Sequence, residues 1–102
     1  MIARLWRGSA EAAKADSYFR HFSETVAPEL KGLAGHRGAM LLRREADGRT
    51  EFLAVTLWES PAAIEAFTGP DIARAVVEPE ARAALSAFDD FATHYEVAFK
   101  AP

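Results

Sequence analysis

The chain has 102 residues, 12 basic against 15 acidic side chains, a net charge of −3 and no cysteine. The length suits one domain, and the lack of cysteine excludes a disulfide frame, a thiolate zinc site, an iron–sulfur cluster and a thiol nucleophile. Mild acidity argues against electrostatic binding of nucleic acid, and a domain of this size buries only about 65% of the surface its unfolded chain exposes, so a partner subunit is expected.

Ile2, Arg4 and Trp6 alternate with Ala3, Leu5 and Arg7, which predicts a strand over residues 1–7 with both faces partly covered. Gly8 and Ser9 are expected to stop it. Ser9 would cap a helix from Ala10, with Glu11 favoured in the first turn. Ala15, Phe19, Phe22 and Val26 recur at helical spacing and mark its core face, beside Tyr18. Pro28 should end that helix. Residues 28–38 carry three glycines and a proline and read as a connection. A second strand over 39–45 leads through Asp47-Gly48 into a hairpin and a third strand, Glu51 to Trp58. On that strand Phe52, Ala54, Thr56 and Trp58 oppose a more apolar row of Leu53, Val55 and Leu57. Trp58 is expected at a dimer interface or a barrel rim.

Ser60-Pro61 is a helix start, with Ile64 and Phe67 facing the core. Gly69-Pro70 breaks this helix. Asp71 is expected to cap another around Ile72, Ala75 and Val76, and residues 81–88 a last one after Glu78-Pro79. Residues 91–99 would close the chain as a strand. The order βαββαβ is the ferredoxin-like α+β arrangement, a four-stranded antiparallel sheet with helices on one face. Its other face, around Ala3 and Leu5, is apolar and bare in a lone subunit. The simplest cover is a second copy, sheet against sheet, so a homodimer is expected. Arginines and a glycine interrupt the apolar start as a signal peptide would not be interrupted, and no apolar run reaches the ~20 residues of a membrane helix. A cytoplasmic protein is expected, with no membrane partner.

The opening MIARLWR, Pro28-Glu29-Leu30 running through Gly35-His36-Arg37-Gly38, Leu57-Trp58-Glu59-Ser60 leading into Ala63-Ile64-Glu65-Ala66-Phe67, and the closing His94-Tyr95-Glu96-Val97 resemble the antibiotic biosynthesis monooxygenase family. That resemblance implies the dimeric α+β barrel. It also implies one of two activities. In the first, a polycyclic phenol is oxygenated to a quinone without metal, flavin or other cofactor, the deprotonated substrate itself supplying electrons to dioxygen. In the second, heme is broken down, which the family does with an Asn, a Trp and an iron-ligating His. The corresponding positions here hold Trp6, Phe67 and Val77. Valine cannot hold iron, so the resemblance favours the first activity.

The resemblance places substrate between sheet and helices, with Trp6, Tyr18, Phe22 and Phe67 as aromatic walls and Phe88 as a further candidate. Such residues serve equally as ordinary core. Arg4 shares a row with Trp6 and could hold a phenolate or enolate, or could pair with Glu51 or Glu96; Arg43 has the same two readings. His36 is a candidate general base or a surface residue. His21, His36 and His94 show no metal-ligand spacing, and no metal is expected. Ser60 is a cap rather than a nucleophile, and no glycine-rich phosphate loop follows a strand. Against the oxygenase stands a second reading, a non-catalytic binding or structural module on the same fold.

Overall fold

The computed structural model describes residues 1–102. Strand β1 spans Ile2–Glu11, helix α1 Ala12–His21, helix α2 Ala27–Lys31, β2 His36–Ala46, β3 Arg49–Trp58, α3 Pro61–Thr68, α4 Pro79–Ala84, β4 Ala87–Phe88 and β5 Thr93–Glu96. All strand pairings are antiparallel, in the order β2-β3-β1. Both short strands lie along the remaining edge of β1. β5 pairs Ile2–Leu5, and β4 pairs Gly8 and Ser9. The sheet thus has five strands in four positions, with the helices on one face, and the ferredoxin-like expectation is met.

Several boundaries differ from the sequence reading. β1 runs on through Gly8 and Ser9 to Glu11, so Ser9 caps no helix. Gly8 serves close packing instead. A Cβ there would stand 3.1 Å from Leu85 Cδ1, under the chain's last helix. Pro28 sits in the first turn of α2 instead of ending α1. It has no N–H to give the preceding turn. The backbone between the two helices widens into a π-helical stretch over Phe22–Val26, in which Ala27 N–H donates to Phe22 O, five residues back. Residues 71–76 form no helix: Asp71 Oδ1 accepts from Ala73 N–H, and Arg74 bridges Phe91. The helix expected over 81–88 spans Pro79–Ala84, and β4 takes its end. The expected closing strand holds only over Thr93–Glu96.

The alternation on β1 and β3 decides the layers. Arg4, Gly8 and Ala10, with Thr50, Phe52, Ala54, Thr56 and Trp58, are buried toward the helices. Ala15, Tyr18 and Phe22 cover them from α1, while Phe19 points outward at 46% exposure, one step off the core stripe. Trp58 belongs to this inner layer rather than to an interface. It is fully buried with Leu30 and Ile64, stacks on Phe67 and donates its indole N–H to Thr56 Oγ1. The burial of each such large side chain contributes about 1.5–3 kcal/mol.

The opposite face has no cover within the chain. Leu5 pairs with Val55, which pairs with Met40; Arg7 pairs with Leu53, which pairs with Leu42. The aliphatic side chains among these, with Leu57, form an apolar field beside Arg7, on which Met40 and Leu42 are about half exposed. No helix is long and apolar enough to cross a membrane.

Candidate functional site

A cavity of about 60 Å³ lies between the inner sheet face and the helices. Alternation on β1 delivers Arg4 and Trp6 to it, the stripe on α1 delivers Tyr18 and Phe22, and the end of α3 delivers Phe67. Four of the predicted walls therefore meet with Arg4 around one space. Trp6 is fixed by an indole hydrogen bond to Asp89 O (2.7 Å) and tilts against Tyr18 and Phe88. Phe88 braces Trp6 from behind and does not line the space. Burial pushes the Tyr18 phenol well above its ordinary range, so it remains an O–H donor at neutral pH.

Arg4 is the unusual group. Its residue is only 4% exposed, and it pairs with neither Glu51 nor Glu96; none of the chain's ion pairs includes it. The guanidinium donates instead to neutral acceptors: Nη1 to Ile72 O and to His94 Nε2 (2.9 Å), and Nη2 to Arg74 O (2.9 Å). It also stands 5.9 Å from the centre of the Phe67 ring. Burial lowers its pKa to about 10, which leaves it a cation at neutral pH. Burial and the Arg4 charge hold His94 below the ordinary imidazole value, as suits a neutral ring accepting from a guanidinium. A buried cation without a counter-ion attracts anions, and an aromatic cavity selects among them for flat ones.

The other two candidates lie elsewhere. His36 opens β2 beside Trp58, edge to face at 5.0 Å, with Nδ1 buried and without a hydrogen-bond partner. Burial and Arg37 lower its pKa. It does not line the cavity. Arg43 extends from β2 over the Phe52 ring, near Asp16 and Glu45, with its side chain 42% exposed; the strand places it beyond the cavity's end. Sequence reasoning missed four groups that the fold brings in. The register of β1 and β5 sets His94 opposite Arg4. His21 and Glu78 line the cavity from α1 and the start of α4, and Glu80 stands beside them on the outer side. No pattern within either segment announces that meeting.

A split-edge ferredoxin-like sheet is thus roofed by helices over an aromatic cavity that holds a buried cation. The antibiotic biosynthesis monooxygenase family profile matches residues 1–79, and the chain belongs to that family. Among solved structures it is similar to SnoaB, a cofactor-independent oxygenase from Streptomyces nogalater. The identity is 18%, the match covers 99% of this chain and 96% of that one, and the TM-score is 0.69. It is also similar to the heme-degrader MhuD from Mycobacterium tuberculosis, solved with two hemes bound in its active site. There the identity is 21%, both chains are covered completely, and the TM-score is 0.67. No curated protein matches by sequence. At these identities the likeness shows a shared fold.

Proposed function

We propose that the chain is a cofactor-independent monooxygenase acting on a small aromatic, polyketide-like phenol, and that it works as a homodimer joined through the bare sheet face. The observation that carries the reading is the unpaired Arg4 guanidinium beneath aromatic walls. Three of the five guanidinium N–H groups are engaged, which leaves Nε–H and one Nη2–H for a ligand oxygen. Such a donor pair favours the phenolate or enolate over its neutral acid. That anion is the electron source. In an anthrone, the ring CH2 becomes C=O with one oxygen atom of O2, and the other leaves as water with the two hydrogens. Residues at the heme positions support this choice: Trp6, Phe67 and Val77 offer no imidazole for iron.

A specific observation favours the second reading, a non-catalytic binding module. The cavity, at about 60 Å³, falls short of the ~150 Å³ that accepts benzene. An oxygenase must therefore open on binding. Incubation with 1,8-dihydroxyanthrone under air decides between them. Quinone formation with one O2 consumed per product, reduced at least ~100-fold in a folded Arg4→Met variant, supports the oxygenase. Equal rates in both proteins, or no turnover of any hydroxylated anthrone or naphthol, leaves the module. Sedimentation at micromolar concentration tests the dimer, and a lone subunit refutes it.

A further inference from the structure

We propose that His21, Glu78 and Glu80 form a binding site for one divalent transition-metal ion at the mouth of the cavity. The inference stands apart from the oxygenase reading, since it requires neither substrate nor oxygen. His21 is the last residue of α1, Glu78 caps α4, and Glu80 lies in the first turn of α4. The packing of α4 on α1 brings one ligand atom from each within 4.8 Å of the other two. None of the chain's ion pairs joins the imidazole to either carboxylate.

The imidazole supplies the independent observation. His21 is only 9% exposed, packs against Tyr18, and takes part in no side-chain hydrogen bond, while a ring nitrogen lies within 4.8 Å of an oxygen of each carboxylate. The ring makes no side-chain hydrogen bond within the chain and faces the outer groove, so its nitrogen is free to take a ligand from that side. A water can bridge one pair of these groups, whereas an ion satisfies all three and balances the two negative charges. The π-helical stretch begins at the next residue, Phe22, and such stretches recur at functional sites.

The donor set selects the ion. One imidazole and two carboxylates suit zinc, manganese or ferrous iron, whereas calcium and magnesium prefer oxygen alone. Around a tetrahedral zinc with bonds of ~2.0–2.1 Å, ligand atoms stand ~3.4 Å apart, so the cluster must draw in by about 1 Å. Glu80 is exposed and Glu78 half-buried, so both carboxylates can turn toward the fixed ring. Three protein ligands leave a coordination position open. His21 and Glu78 line the cavity, while His21 and Glu80 also line an outer groove with Lys14 and Arg20. The ion would enter from the groove. Neither Lys14 nor Arg20 is ion-paired to these carboxylates.

The test uses tag-free protein stripped with chelator. Titration with Zn2+ by calorimetry, and with Co2+ by visible absorption, should show one ion per chain at micromolar Kd or tighter, with Mg2+ failing to compete. Glu80→Gln, at an exposed position, and His21→Gln should each weaken binding by roughly tenfold or more. Absence of binding at millimolar Zn2+ overturns the site. So does undiminished binding in both variants while they remain folded by circular dichroism, since that places the ion on His36 or His94.

Discussion

Replacing Arg4 by methionine keeps the stem's bulk in the cavity and removes its charge. In the native chain two guanidinium N–H groups remain free after the bonds to Ile72 O, His94 Nε2 and Arg74 O. A hydrogen bond to a charged group contributes about 1.5–3 kcal/mol net. One such bond to a ligand oxyanion therefore amounts to roughly 10- to 150-fold in affinity over the same ring lacking the charge. The variant should lose that preference and nothing else of the binding. Stability should fall too, because two carbonyls and the His94 ring lose their donor. Partial hydration of the exposed segment and relief of the buried cation offset some of this. The net is about 1–3 kcal/mol, or roughly 5–20 °C in Tm at ~4–8 °C per kcal/mol. The folded state survives, since a chain of this length carries about 5–15 kcal/mol. Quenching of Trp6 emission by 2-hydroxy-1,4-naphthoquinone, an anion at neutral pH, and by its neutral methyl ether is the assay. The reasoning fails if native protein binds the two equally, or if Arg4→Met weakens both to the same degree.

Two further outcomes follow from the same geometry. Val55→Glu sets a carboxylate at the centre of the bare sheet face, between Leu5 and Met40; sedimentation should show dimer giving way to monomer at micromolar concentration, and an unchanged dimer would place the interface elsewhere. His36 and His94 both titrate below the ordinary ~6.5 in the folded chain, through burial first and then Arg37 and Arg4 respectively. The unfolded chain thus binds more protons just below that pH, so their stabilising contribution is complete above ~6.5 and declines as pH falls toward the folded values. The urea midpoint should drop between pH 7.5 and 5, and less steeply in His94→Asn; parallel profiles would sink that assignment.

The rows of each strand were legible wherever alternation and turn chemistry agreed, but on β3 not the layer each row faces, since Trp58 was expected at an interface or rim and lies in the core. The row Arg4, Trp6 and the row Phe52 to Trp58 follow from period two, and Asp47-Gly48 supplies the left-handed pair the hairpin needs, at φ 53° and 76°. Local signals failed where tertiary contacts outweighed them. Ser9 is a good cap by composition, but Ser86 N–H donates to its carbonyl and keeps it in the sheet. Asp71 looks like a cap, yet residues 73–75 are held by 90 and 92 across the edge. Phe19 fits the core stripe by spacing alone, while the turn of α1 gives Tyr18 that place against Phe52, at 4.8 Å between ring centres. The carboxylate expected for Arg4 was a charge argument. The fold answers with two backbone carbonyls from a segment nearly seventy residues away, and no pattern in either segment encodes that.

That bond between Arg4 and the segment around Ile72 and Arg74 bears on how the small cavity could admit a ring. The sheet wall cannot move without breaking the ladders of β1 and β3, and α1 is anchored by Tyr18 and Phe22. The wall carrying Val76 and Glu78 is different. Between Gly69 and Glu78 the backbone is irregular. Besides the Arg4 clamp, its ties to the rest of the chain include Ala75 N–H to Asp90 O, Ala92 N–H to Ala73 O, Arg82 Nε–H to Val77 O and Arg82 N–H to Glu78 O. It is the one wall of the cavity that is neither strand ladder nor helix. The group that clamps it is the group that would receive the ligand's oxyanion, so an anion drawing on the guanidinium weakens the clamp as it binds. Amide hydrogen exchange over residues 71–78 should therefore quicken in Arg4→Met without ligand. In native protein it should also quicken when the hydroxynaphthoquinone anion is added, but not its methyl ether. Faster exchange over α1 instead, with 71–78 unchanged, would place the opening on the helix side and separate it from Arg4.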